Sequence, residues 1–283
     1  MSDFIAVDRK MEIKRPFIMG IVNASPDSFS DEGRYRTVQS QLDRARTVIE
    51  SGADIVDIGA QTASTDVPEI SEQEEIDRLM PILNWTLSNS DALVSIDTYR
   101  SAVAREALSA GAHIINDIGF LHDNNMIETI RDSGAGYILM HNPGPPKVLL
   151  KNYDFYSNVV DNVLEAMIQK NQQLISGGVL SEQIILDPGP DFAKSHTQTV
   201  DVLRNIDQLA SIGRPLLLPI SRKGYIGAVT GRPPSERLAG TLASIGFSLN
   251  ITRSIVFRVH DVAEAVDFIK VWDLLNQYLE IEE

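Results

Sequence analysis

Eight times along the chain, a short run of aliphatic and β-branched residues gives way to a longer segment with helical spacing. That alternation restricts the fold more than any other feature, because periods of two and of about 3.6 residues cannot share one element. The expected strands are Phe17–Asn23, Ile55–Ile58, Leu93–Asp97, His113–Asn116, Tyr137–His141, Ile184–Asp187, Leu216–Ile220 and Ser254–Val259. The helical segments are Val38–Ser51, Glu72–Ser88, Ser101–Ala110, Ile127–Ser133, Tyr156–Ser176, Thr199–Leu209, Ser235–Leu249 and Val262–Leu279. Strict alternation implies parallel strands joined by crossover helices. Eight such units favour closure into a (β/α)8 TIM barrel, an α/β fold, over an open sheet. The 283 residues suit one barrel of about 250. No repeat or linker divides residues 1–283, so a single domain is expected.

Three long loops follow strands and therefore belong to one face: Asn23–Thr37, Gln61–Ser71 and Asn142–Asp154, the last with Pro143, Pro145 and Pro146. Loops of this length after barrel strands are expected to be substrate covers, the alternative being plain surface excursions. Composition narrows what that face can do. The net charge of −14 disfavours nucleic-acid binding, so an anionic substrate must be held by a few local cations. No stretch reaches the ~20 apolar residues of a membrane span, and residues 1–14 lack the apolar core of a secretory signal. Cysteine is absent, which excludes disulfides and thiolate metal sites and fits a cytoplasmic protein.

The ends of the expected strands are polar. In order they carry Asn23, Asp57, Asp97, Asn116, Met140-His141, Asp187, Ser221-Arg222-Lys223 and Arg258-Val259-His260. A polar strand end is often just a turn or a helix cap, and Asp97-Thr98 before Ser101 fits that description. Seven of eight strands ending in Asn, Asp, Lys or Arg does not, because such groups are costly to bury unpaired. Carboxylates and amides at 57, 97, 116 and 187 suit a flat heterocycle bearing NH₂, NH and C=O groups. Arg258 and His260 share one side of a strand end and, with Asn23 on the neighbouring strand, suit a phosphate or pyrophosphate. Ser221-Arg222-Lys223-Gly224 lacks P-loop spacing, so nucleotide hydrolysis is not expected. Lys223 is the cation expected to point inward, whereas Arg222 is accounted for as a solvated charge on a short helix. Asp187-Pro188-Gly189-Pro190 is a rigid turn that presents Phe192 as an aromatic wall.

These segments, in this order, resemble dihydropteroate synthase over nearly the whole chain. The resemblance is carried by Gly20–Gly33, Val94–Thr98, Ile114–Ile118, Leu139–His141, Leu186–Gly189, Ser221–Lys223, Glu236–Ala243 and Phe257–Val262. It implies a barrel that joins para-aminobenzoate to 6-hydroxymethyl-7,8-dihydropterin pyrophosphate. The products are 7,8-dihydropteroate and pyrophosphate, formed by dissociative loss of pyrophosphate and amine attack. Carried over by position, Asp97, Asn116, Asp187, Lys223 and Met140 would hold the pterin, with Asp97, Asp187 and Lys223 as the catalytic set. Asn23 would ligate Mg²⁺, with Arg258 and His260 on the pyrophosphate. Ser221 and Phe192 would line the aminobenzoate pocket, and Asp57 and Thr62 would support the site. A homodimer is also implied.

The chain departs from the family in two places. After the second strand it has Ala63 and Ser64 where the family has Thr-Arg, and before Phe192 it has Pro190 and Asp191 where a small or apolar residue and Gly are usual. Asp191 would place a negative charge near a pocket meant for a carboxylate. The alternative reading is therefore a non-catalytic or altered-specificity pterin-binding paralogue.

Overall fold

The computed structural model describes residues 2–24, 37–61, 67–148, 150 and 153–279. It opens with an antiparallel hairpin, β1 (Ser2–Ala6) and β2 (Arg9–Ile13), which the strand pattern did not anticipate. The alternation then runs β3 (Phe17–Asn23), α1 (Val38–Glu50), β4 (Ile55–Gly59), α2 (Glu72–Asn89), β5 (Leu93–Asp97) and α3 (Ser101–Ser109). It continues with β6 (Ile114–Asp117), α4 (Met126–Ser133), β7 (Gly136–Met140), α5 (Val159–Ser176), β8 (Ile184–Asp187), α6 (His196–Arg204) and α7 (Ile206–Ala210). The last elements are β9 (Leu216–Leu218), α8 (Gly224–Thr230), α9 (Leu238–Leu249), β10 (Ile255–Val259) and α10 (Val262–Leu275). Strands β3 to β10 are parallel and close into a barrel in the order β10-β3-β4-β5-β6-β7-β8-β9. The expected (β/α)8 barrel is what forms.

Differences from the sequence expectation are local and have causes. The helix expected over Thr199–Leu209 is two helices, broken at Asn205, whose φ of −115° and ψ of 29° are not helical. The helix expected from Ser235 starts at Leu238, after a 3₁₀ turn opened by Pro233 and Pro234. The helix expected from Tyr156 starts at Val159, because the Asn158 side chain caps the amides of Val160 and Asp161. The last helix stops at Leu275, four residues short, with Gln277 at a left-handed φ of 63°.

Alternation along each strand sorts the barrel interior into two levels. Ile55, Leu93, Ile114, Ile185 and Val256 are inward at the N-terminal end, in one apolar cluster with Phe4, Ala6 and Ile13 of the hairpin. Two residues further on, or four in β5, the same inward face reaches Asp57, Asp97, Asn116, Asp187 and Arg258. The intervening residues face outward and form the larger core against the helices. The hairpin thus plugs the bottom of a barrel whose top is polar. No helix among the described residues is long and apolar enough to cross a membrane.

Candidate active site

The polar groups at the mouth are linked in two networks. In the first, Arg258 donates through Nε to Asp57 at 2.6 Å and through Nη2 to Asp97 at 2.9 Å. Asp97 is therefore an ion-pair partner and not the cap of α3, a position that Arg100 fills without a side-chain bond. Asn116 donates Nδ2 to Asp57 at 3.3 Å. Its Oδ1 is buried with no hydrogen-bond partner among the described residues, an acceptor awaiting a donor. Burial pushes the Asp97 carboxyl up, Arg258 works against that shift, and the nearby Asp57 adds to it. Met140, buried at the end of β7, supplies an apolar surface beside these groups.

In the second network, Ser221 Oγ lies 2.9 Å from His260 Nδ1 and accepts the His260 backbone N–H at 3.2 Å. Burial pushes the His260 imidazole down to about 3, aided by Arg222 and Arg258, so the ring is neutral at pH 7. Arg44 anchors this corner from α1, donating to the carbonyls of Ile21 (3.2 Å) and His260 (2.6 Å). Arg222 is not the solvated charge expected: it pairs with Asp261 through two bonds of 3.1 and 2.6 Å. Lys223, which precedes α8, does point inward, donating to the Pro190 carbonyl at 3.0 Å. Its ammonium also lies 5.4 Å from the centroid of the Phe192 ring.

The turn after β8 meets the second network at Lys223. Asp187 accepts the Gly189 N–H at 2.7 Å, and burial pushes its carboxyl up to about 7 against that bond and the charge of Lys223. Gly189 is at a left-handed φ of 62°, and a Cβ there would collide with the His141 carbonyl oxygen. Lys194, only 3% exposed, donates to the carbonyls of Gly189 (2.9 Å) and Phe192 (3.0 Å) and reaches His141 Nδ1 at 3.0 Å. Burial pushes its pKa down to about 7. The sequence reading gave Lys194 no role. The available signal was a lysine closing a turn whose carbonyls have no strand to pair with.

Asn23 ends β3 in register with Gly59 of β4, whose carbonyl accepts the Ala24 N–H at 2.7 Å. Thr62, Ala63, Ser64 and most of the first long loop lie outside the described residues. The base of the second loop is clamped by Gln61, which donates to Tyr99 at 2.8 Å and accepts from the Ile70 N–H at 2.9 Å.

Charged and amide groups thus converge on the mouth of an apolar-floored barrel, with Met140 and Phe192 as apolar walls. The family described as pterin binding enzyme matches residues 19–260. The chain belongs to that family. Among its pterin-binding relatives, the dihydropteroate synthase of Haemophilus influenzae is 35% identical over 267 residues, covering 94% of this chain and 96% of that one. The Xanthomonas albilineans dihydropteroate synthase solved with 4-aminobenzoic acid has a TM-score of 0.88 at 32% identity, covering 98% of this chain and 99% of that one. The same enzyme in complex with 7,8-dihydropteroate has a TM-score of 0.85 at 32% identity, covering 98% and 100%. The resemblance read from the motif order is borne out.

Proposed function

We propose that the protein is a dihydropteroate synthase that condenses 6-hydroxymethyl-7,8-dihydropterin pyrophosphate with para-aminobenzoate. The observation that carries this reading is the mouth itself. Acceptors at Asp97, Asn116 and Asp187 and the cation of Lys223 come from separate strand ends around one opening, in a chain alignable end to end with such synthases. Asp97 and Asp187 accept the pterin's N–H groups, and Asn116 Oδ1 gains the partner it lacks. Lys223 faces the ring carbonyl, and Met140 packs on the ring. When pterin donors occupy Asp97, the Nη2 arm of Arg258 is released toward the pyrophosphate, which His260 reaches from the same strand. Asp57 keeps the guanidinium in place through Nε.

Loss of pyrophosphate breaks the exocyclic C–O bond, and the electron pair leaves with the phosphate. Positive charge then builds on the pterin, where the carboxylates of Asp97 and Asp187 oppose it. The arylamine nitrogen attacks the exposed carbon, forming the C–N bond, and its proton passes to solvent. No protein nucleophile is needed. Asn23, at the end of the strand next to that of Arg258, would hold Mg²⁺ through its amide oxygen, a hard donor of the kind this cation takes. Bound there, Mg²⁺ supplies charge neutralisation for the pyrophosphate oxygens. The arylamine stacks on Phe192 beside Ser221. We read residues 1–283 as one catalytic unit. A homodimer through α9 and α10 is supported by the exposed apolar side chains of Phe247, Val271 and Leu275.

The test supplies both substrates and Mg²⁺ and follows pyrophosphate release. Release well above that of Lys223→Ala is expected. Binding of the pterin pyrophosphate without release would instead leave a pterin-binding protein.

A further inference from the structure

Asp191 occupies a position where the backbone asks for glycine. Its φ of 67° lies in the left-handed region that favours glycine. The carboxylate is fixed there by protein donors. Oδ2 accepts the Gly224 N–H at 2.8 Å, Oδ1 accepts the Thr199 hydroxyl at 3.2 Å, and the Asp191 N–H returns to Thr199 Oγ1 at 3.1 Å. Thr199 is fully buried, so the anchor is rigid. Gly224 is part of the same unit: a Cβ there would lie 2.5 Å from His196 Cε1 and 3.3 Å from Asp191 Oδ2. His196 Nδ1 is 3.9 Å from Asp191 Oδ1 on the solvent side. The Asp191 side chain itself is 25% exposed, unlike the buried Asp187 below it.

The residues on either side of Asp191 in the chain, Pro190 and Phe192, both meet Lys223. Pro190, on one side, takes the Lys223 ammonium, and Phe192, on the other, lies beneath it. An amine stacked on Phe192 directs its nitrogen inward, toward the pterin held by Asp187 and Lys223. Its para substituent then points outward, to the rim where Asp191 sits. Asp191 also offsets part of the Lys223 charge that would otherwise attract an anionic group.

We propose that Asp191 is a specificity-determining residue whose fixed carboxylate disfavours arylamines with an anionic para substituent relative to neutral ones. The inference rests on the synthase reading above. Like charges held near a protein surface repel by on the order of 1 kcal/mol, roughly fivefold in an equilibrium constant.

The experiment measures kcat/KM for 4-aminobenzoate and for neutral 4-aminobenzamide, by pyrophosphate release, in the native chain, Asp191→Asn and Asp191→Gly. Asn keeps an acceptor for the Gly224 N–H while removing the charge. Gly suits the left-handed φ and removes the carboxylate altogether, so the two variants remove the charge at different structural costs. The ratio of benzoate to benzamide is expected to rise about fivefold in either variant, chiefly through KM, and the gain should shrink at high salt. A ratio unchanged within twofold, with release intact, overturns this proposal alone. No release with any amine in any of the three proteins overturns both it and the synthase reading.

Discussion

Arg258 and Asp57 are paired across the barrel mouth at 2.6 Å, although 201 positions separate them in the chain. Asp57 is completely buried and Arg258 is only 20% exposed, so neither charge is satisfied by water. Removing one partner of such a pair costs about 3–5 kcal/mol, because the other is left uncompensated. Arg258→Met should therefore destabilise the fold by that order in urea denaturation. It should also lower the rate of pyrophosphate release on the order of 10²–10³-fold. Adding Asp57→Asn should recover part of the stability and none of the activity. Full stability in the single variant would remove the pair from the account.

Such a pair was legible only in part. Strand-end positions are read from a period of two, so Asp57, Asp97 and Arg258 could be placed on one face from sequence. Which of them bond to each other depends on barrel closure between β10 and β3, which no local pattern encodes. Arg222 shows the same limit: its partner Asp261 follows the last strand, and the solvated role expected of it ignored that closure. The hairpin was missed because its apolar positions, Phe4, Ala6, Met11 and Ile13, alternate too briefly to stand out from a charged N-terminus. Lys194 was missed because a lysine in a turn usually points to water, whereas here the turn folds back over it.

On the proposed synthase reading, Asp187 should make activity pH-dependent. Its carboxyl is pushed up from 3.8 to about 7, chiefly by burial. To accept pterin donors it must be ionised, so kcat/KM for the pterin pyrophosphate should rise between pH 6 and 8. Asp187→Asn should flatten that limb as well as lower the rate. The stability effect has the opposite sign. The folded state holds this proton more tightly than the unfolded chain between about pH 4 and 7, so the Asp187 contribution falls as pH rises through that window. A pH–rate profile that is flat from 6 to 8 would rule out the ionisation.

Lys194 acts on stability in a different window. Burial lowers it from 10.5 to about 7, so between those values the unfolded chain binds the proton more tightly than the folded one. Its contribution should therefore grow as pH rises from 7 toward 10.5 and be lost as pH falls back. Lys194→Met should abolish that slope. It should also raise KM for the arylamine, because the carbonyls of Gly189 and Phe192 lose the donor that fixes the aromatic wall. Urea midpoints at pH 7.5 and 9.5 for both proteins measure the slope. An equal slope in the variant would assign it to other groups.

Gly189 should not accept a side chain. Its left-handed φ and the His141 carbonyl in the space of a Cβ mean that Gly189→Ala must displace backbone rather than a flexible side chain. A cost of about 3 kcal/mol or more is expected. Because Gly189 also donates to Asp187 and accepts from Lys194 and Phe192, the same change should weaken pterin pyrophosphate binding in calorimetry. Wild-type affinity in a folded variant would show that the turn does not set the carboxylate.

At the opposite end, Phe4 tests whether the hairpin is purely a plug. Its ring is 1% exposed and packs with Met19, Ile55, Leu93 and Ile114 under the barrel, and a Cβ at Gly136 would lie 2.5 Å from its tip. Phe4→Ala empties that space, and the strands cannot collapse into it without opening the closed ladder, so a loss of about 3–5 kcal/mol is expected. The groups proposed to be catalytic sit at the other ends of the same strands, above an apolar level that the substitution leaves filled. KM for both substrates should therefore stay within about twofold of the native value at temperatures where the variant is folded. A large change in either KM would mean that packing at the floor sets the geometry of the mouth, and the two levels of the barrel could not then be treated as independent.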